Sequence, residues 1–132
     1  MSKILLDSSV VIEFLRIKGK ESTALDRITS KGYRLFISII TYAELYSGKG
    51  IWEKKSAKNT LEVILEGIQV IHLNEELSRK AGQIRAKFNM SLLDAIISAT
   101  AISQDLPLAT LNIKDFEKID GLKLFKHYTP IL

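Results

Sequence analysis

Short apolar runs of strand type alternate along this chain with segments whose apolar residues recur at helical spacing, and the connections between them are short. That alternation restricts the fold more than any other feature, because it is the pattern of an α/β protein with a mostly parallel central sheet. Ile4 to Leu6 form a continuous apolar run, as in a strand buried on both faces. Ser8 or Ser9 stands where a cap is needed for a helix with Val10, Val11, Phe14 and Leu15 on its apolar side, ending near Gly19. Ala24, Leu25 and Ile28 mark a second helix from Ser22 to Ser30, closed by Gly32. "YRLFISII" is rich in β-branched and aromatic residues and predicts the second strand. Thr41 then opens a helix that ends near Ser47, before Gly48 and Gly50.

In the second half, Ala57, Leu61, Ile64 and Leu65 keep helical spacing from Trp52 to Glu66, and "IQVIHL" predicts a third strand. Asn74 is placed to cap a long helix with Leu77, Ala81, Ile84 and Phe88 on one stripe. Ser91 opens "SLLDAIISATAISQ", whose small residues Ala95, Ser98 and Ala99 permit close approach to a sheet. Pro107 bounds a fourth strand, "PLAT", and "LKLF" is a candidate fifth. No repeat, low-complexity tract or linker interrupts the pattern, and 132 residues suit one domain, so 1–132 reads as a single unit.

Four acids interrupt this pattern. Asp7 follows the first strand directly, between "ILL" and "VV". Glu44 is expected in the first turn of the helix after the second strand, and Asp94 in the first turn of "SLLDAII". Asp115 follows the strand "PLAT", together with Asn112, in "LNIKDF". Each acid alone has a plain structural explanation. Thr41-x-x-Glu44 has the capping-box spacing, Ser91-x-x-Asp94 and Asn112-x-x-Asp115 are near variants, and Asp7 suits an N-cap.

Their surroundings argue for more than capping. Asp7 and Asp94 lie among apolar residues, where acids are almost never fully buried unless paired. No Lys or Arg occurs from Ser91 to Leu111, or in the three residues after Asp7. Side chains at the carboxyl ends of parallel strands line the crevice where ligands bind. Two carboxylates about 4 Å apart repel by roughly 4 kcal/mol at an effective dielectric near 20, a large fraction of the roughly 5–15 kcal/mol that holds a domain folded. A converging set therefore calls for a cation. The chain has no Cys, and His72 and His127 fall in no HxxxH or HExxH pattern, so an oxygen-only site for Mg²⁺ or Mn²⁺ is expected.

The rest of the chain supports that chemistry. It carries 19 Lys and Arg against 15 Asp and Glu; setting the four acids aside leaves 11, a surplus of eight positive charges elsewhere. A negative metal-binding pit in a positive shell suits cleavage of a phosphodiester, because the shell attracts the polyanion and the ion activates water. GxGxxG, GxxxxGK[ST] and GxSxG are absent, which argues against dinucleotide, P-loop and serine-hydrolase chemistry. The longest uncharged stretches fall well short of the roughly 20 residues of a membrane span. A soluble, cytoplasmic protein with no membrane partner is the expectation.

Four blocks, "LLDSSVVIEFL", "SIITYAELYSG", "LLDAIISATA" and "LPLATLNIKDFEKIDGL", stand in the order seen in PIN-domain ribonucleases. The chain resembles in particular the VapC toxins of bacterial and archaeal toxin–antitoxin pairs, from Lys3 to about Leu124, with 53–69 matched only loosely. The resemblance implies a three-layer α/β/α PIN-like domain and a Mg²⁺- or Mn²⁺-dependent endoribonuclease. It also implies an RNA substrate, a cognate VapB-type antitoxin and a homodimer. By position, Asp7, Glu44 and Asp94 resemble the family's metal-site acids. Asn112 takes a place where relatives have Asp or Asn, and Asp115 resembles the acid a few residues further on. Thr110 matches a strand-end hydroxyl, while Ser8 and Ser9 stand where Thr-Asn is usual.

The stretch "YSGKGIWEKKSAK" joins Lys49, Trp52, Lys54 and Lys55 and is a candidate grip for single-stranded RNA. It equally fits an amphipathic helix with a wet lysine face and a buried Trp, or a docking surface for an antitoxin helix or second protomer. Arg79, Lys80, Arg85 and Lys87 read as the wet face of their helix. Two rival functions remain. A phosphoryl-receiver domain also gathers acids around Mg²⁺, but it needs an adjacent acidic pair that "LLDSS" lacks. A catalytically silent PIN-like RNA- or protein-binding module is kept open by Asn112.

Overall fold

The structure, a computed structural model, describes residues 2–126. Strands β1 (Lys3–Leu6), β2 (Arg34–Ser38), β3 (Ile68–Ile71) and β4 (Leu108–Ala109) form a sheet in the order β3-β2-β1-β4, with every pairing parallel. The helices are α1 (Ser8–Arg16), α2 (Ala24–Ser30), α3 (Ile39–Leu45), α4 (Lys49–Glu53), α5 (Lys55–Glu66), α6 (Glu75–Phe88), α7 (Leu92–Ser103) and α8 (Ile113–Phe116).

Alternation along each strand builds the three layers, since successive side chains leave opposite faces of a sheet. Ile4 and Leu6 of β1, Ile37 of β2 and Ala109 of β4 pack with Val10, Val11, Leu25, Ile28, Leu45 and Leu61 from α1, α2, α3 and α5. Leu5, Phe36 and Leu108 point the other way, against Ile97 and Ala101 of α7 and Phe116 of α8. Outside α7 lies α6, joined through Leu77 and Ala81 to Ala95, Ile96 and Ala99. The small residues on α7 allow that double contact. This is the α/β/α architecture expected from the resemblance.

The chain winds outward from β1 through β2 to β3, then returns to place β4 on the other side of β1. The strand order therefore reverses at the β1–β4 pair. In open parallel sheets the crevice at the carboxyl end of such a reversal is where ligands bind. Leu6 pairs with Ala109, so the residues that follow, Asp7 and Thr110, emerge side by side at that point.

Several local expectations need correction. The second strand stops at Ser38, and Ile39 and Ile40 are helical. The Ser38 hydroxyl accepts a hydrogen bond from the Ile40 amide and starts α3 there, overriding the β preference of two isoleucines. Thr41 is thus buried inside the helix and opens nothing, and Glu44 lies in the last turn of α3, not the first. The N-cap position of α1 falls to Asp7, not to Ser8 or Ser9, and α1 ends at Arg16. The single helix predicted from Trp52 to Glu66 is two, broken at the extended residue Lys54, and Gly50 lies within the first of them. "LKLF" contributes one isolated parallel bridge, Leu124 to Leu108, instead of a strand. His127 lies outside the described residues.

Candidate active site

Asp7 sits where β1 ends and α1 begins, at an N-cap position with extended backbone, yet its side chain caps nothing. It is 4% exposed. Its Oδ2 accepts hydrogen bonds from Ser9 Oγ at 2.8 Å and from Thr110 Oγ1 at 2.7 Å. Those hydroxyls in turn accept from the backbone of the loop after β4: Leu111 N–H donates to Ser9 Oγ at 3.0 Å and Asn112 N–H to Thr110 Oγ1 at 3.0 Å. A hydroxyl has one proton to give, and both protons go to the same carboxylate oxygen. No donor among the described residues reaches Oδ1. The carboxylate is anchored through one oxygen and presents the other.

Glu44 and Asp94 come to this point from two helices. Glu44, half-buried at the end of α3, has its carboxyl pushed up by burial first, then by repulsion from Asp7 and Asp94; the Ser8 hydroxyl beside it holds it partly back. Asp94, half-buried in the first turn of α7, is also pushed up chiefly by burial, with Asp7 and Asp115 adding repulsion and the Ser91 hydroxyl opposing it. Asp7, Glu44 and Asp94 therefore feel one another's charge, and Asp115 joins through Asp94. Asp115 and Asn112 are exposed at the start of α8, and the Asn112 side chain caps nothing.

Capping explains little of this arrangement. Only the Ser91–Asp94 spacing forms a cap, in which Ser91 Oγ accepts from Asp94 N–H at 3.1 Å. Glu44 is at the wrong end of its helix for that role.

Among the described residues no ion pair includes Asp7, Glu44, Asp94 or Asp115; the three pairs present are Lys80–Glu76, Lys87–Asp120 and Lys123–Asp105. Nor do three acidic or imidazole side chains among them stand close enough to clasp one ion between them. The donor set is nevertheless all oxygen, half-desolvated and short of positive charge. It fits a hard divalent ion that keeps several of its own waters and takes one or two carboxylates directly, which is the habit of Mg²⁺.

The remaining candidates lie outside this cluster. Lys49, Trp52, Lys54 and Lys55 are exposed on α4 and the start of α5. Trp52 is 63% exposed, which rules out the buried Trp of the amphipathic-helix reading. Its Nε1 donates to the Tyr46 carbonyl at 2.7 Å, and Lys58 Nζ lies 5.2 Å from its ring centre. Arg79, Lys80, Arg85 and Lys87 are exposed along α6, and His72 is exposed after β3. A cavity of about 690 Å³ lies at the amino ends of β2 and β3, lined by Tyr33, Arg34, Gly67 and Ile68, away from the acids. A second cavity, about 410 Å³, lies between α1, α3, α4 and α5 and has Glu44 in its wall. The sequence offers Ser8 as the supporting hydroxyl, but Ser9 is the one that reaches Asp7; an Asp-x-Ser spacing after a strand end is its only signal. Arg16, which lines the smaller cavity, has no sequence signal.

The PIN domain family profile matches residues 4–122. Ribonuclease VapC10 of Mycobacterium tuberculosis is 35% identical over 127 residues, spanning 91% of this chain and 90% of that protein. The tRNA(fMet)-specific endonuclease VapC of Salmonella typhimurium is 29% identical over 133 residues, spanning 94% and 97%. In the crystal structure of DNA-bound VapBC from Salmonella typhimurium, one chain aligns with a TM-score of 0.79 at 25% identity, over 95% of this chain and 98% of that one. A parallel sheet with acids gathered at its β1–β4 reversal is thus the frame of a PIN domain. The chain belongs to the PIN-domain family, in its VapC ribonuclease branch.

Proposed function

We propose that residues 1–132 act as a single PIN-like domain and as the toxin of a VapBC-type toxin–antitoxin pair. Its activity is that of a Mg²⁺- or Mn²⁺-dependent endoribonuclease. The observation that supports this reading is Asp7 at the strand-order reversal, with Glu44 and Asp94 near enough for its charge to help raise their carboxyls and with no cation paired to any of the three among the described residues.

Asp7 Oδ1, Asp94 and Glu44 would hold the ion directly or through water, with Asn112 and Asp115 on the outer side. When bound, the ion makes a water nucleophilic near neutral pH and offsets charge on the scissile phosphate. The chain's own residues do the rest. Ser9 and Thr110 fix Asp7 Oδ2, so its free oxygen keeps one orientation. Ser8 steadies Glu44 on the helix side of the site. Lys49, Lys54, Lys55 and Trp52 draw in single-stranded RNA through its phosphates and bases. The partners are a cognate VapB-type antitoxin, which silences the enzyme, and a second copy in a homodimer. No described helix is long and apolar enough to cross a membrane, and the proposed place of action is the cytoplasm.

The test is cleavage of total cellular RNA by the purified chain. EDTA should abolish it, Mg²⁺ or Mn²⁺ should restore it, and Asp7→Asn should fold normally yet leave RNA intact. Asn serves an N-cap about as well as Asp, so lost cleavage in a normally folded variant separates catalysis from capping. Cleavage indifferent to chelation sinks the proposal. RNA binding without cleavage points to the silent module.

A further inference from the structure

The cavity that borders Glu44 is built for a ligand larger than a metal ion. Ile12, Leu15 and Ile51 give it apolar walls, Arg16 and Lys54 stand at its edge, and Glu44 joins it to the acidic cluster. We propose that it is a nucleobase subsite, receiving the base of a nucleotide beside the scissile phosphate of single-stranded RNA, with the Trp52 ring stacking a further base outside it. The inference rests on the RNA-cleaving reading above and adds the part of the substrate that is read.

Its volume, about 410 Å³, falls in the range of roughly 300–1,000 Å³ typical of small-molecule sites. A base is flat and apolar on its faces and polar at its rim, which matches aliphatic walls with charged ends. Among the described residues, Arg16, Lys49, Lys54 and Lys55 are in no ion pair. Lys54 and Lys55 also begin α5, with no acid in its first turn and no side-chain cap, at the helix end where cations are least favoured. That local conflict is relieved by an anion, and a nucleotide brings its phosphate with its base.

Trp52 adds a second, independent feature. Its only donor is already used on the Tyr46 carbonyl. The ring lies 5.9 Å from that of Tyr46 and has Lys58 over it, while remaining 63% exposed. An exposed ring held in place loses little freedom when a base stacks on it. An acidic peptide would answer the same lysines, but its carboxylate side chains have no flat face to lay on the exposed Trp52 ring, whereas a base does.

Gly50 provides the probe. It lines the cavity, lies within α4, and a Cβ built on it meets no atom within 4 Å. Gly50→Leu should therefore fold and add bulk at the wall of the cleft. With short random-sequence single-stranded RNAs, Gly50→Leu should raise KM about tenfold, as expected for loss of one stacked base, with kcat nearly unchanged and base preference beside the cut flattened. Trp52→Ala should raise KM similarly. Trp52→Phe, which keeps a ring but loses the bond to Tyr46, should lower Tm and leave KM near wild type. The same RNAs are then titrated onto Asp7→Asn and Asp7→Asn/Gly50→Leu by fluorescence anisotropy, where a tenfold weakening is expected without any cleavage.

If wild type cleaves while Gly50→Leu keeps its KM and base preference, the subsite is overturned and the ribonuclease reading stands. The subsite is equally overturned if Gly50→Leu changes only inhibition by the antitoxin, since the cleft then serves a protein. If wild type does not cleave at all, the ribonuclease reading fails, and the binding arm still decides whether the cleft takes RNA.

Discussion

The two sides of the acidic site are built differently. On the sheet side, Asp7 is almost fully buried, and its Oδ2 is held by two hydroxyls that are themselves tied to the backbone after β4. On the helix side, Glu44 and Asp94 are half-buried, and each has one serine hydroxyl to set against burial and like charge. The sheet side is a satisfied network, which rigidifies what it holds. The helix side holds carboxylates whose charged forms the folded protein disfavours. A site made this way fixes one carboxylate in advance and leaves the other two without a paired cation among the described residues.

The largest effect is expected on the satisfied side. Thr110→Val keeps shape but removes the proton given to Asp7 Oδ2 and the acceptor used by Asn112 N–H. Outer partners of metal ligands typically matter about 10–100-fold in affinity or activity, and a partner left unpaired costs about 1–3 kcal/mol. We expect metal affinity, measured by calorimetry, to fall within that range and Tm to drop with it. An unchanged affinity would mean that Asp7 needs no anchoring, and the contrast between the two sides would disappear.

The opposite sign is expected on the helix side. Carboxyls whose pKa is raised on folding bind more protons in the folded than in the unfolded state, so stability falls as pH rises from the ordinary carboxylate range through their raised values. Above that window both are charged and their cost is fully expressed. Glu44→Gln and Asp94→Asn should therefore stabilise the metal-free protein at pH 7 and flatten that part of its pH profile. The gain should sit near the lower end of the roughly 0.5–2 kcal/mol usual for relieving strain at a functional site, because both side chains are half-buried and screened. Mg²⁺ should raise the Tm of wild type more than that of either variant. Destabilisation at pH 7, with the fold intact by circular dichroism, would show that these carboxylates are favourable where they lie.

The sheet side is also the more legible in sequence. A parallel strand buried on both faces is a continuous apolar run, so "ILL" followed by Asp7 announces a strand end and an acid on it. "PLAT" does the same for Thr110 even though β4 has only two residues. The helix side is harder to read, because its start depends on one hydroxyl. Ile39 and Ile40 look like strand until Ser38 Oγ takes the Ile40 amide, and that bond moves Glu44 from the first turn of α3 to the last. The exposure of Trp52 and the break at Lys54 are tertiary facts that periodicity cannot carry. A tryptophan in an amphipathic helix with a lysine face looks buried until the Tyr46 carbonyl is found to hold its indole outside. Which of Ser8 and Ser9 serves Asp7 is likewise settled by the direction of α1 and not by spacing.

The smallest effect is expected at Asp115, which belongs to neither side. It is exposed, and its influence on the cluster is repulsion of Asp94. In water, unit charges 4 Å apart interact by only about 1 kcal/mol, below the roughly 1.4 kcal/mol that makes a factor of ten. Asp115→Asn should therefore weaken Mg²⁺ binding by less than about tenfold and move Tm little. It should also ease Asp94 back toward the ordinary carboxylate range, visible as a lower midpoint in an NMR titration of the metal-free protein. Loss of metal binding on the scale expected for Thr110→Val would instead make Asp115 a direct ligand. The site would then reach outward to α8, and its exposed rim would matter as much as its buried anchor.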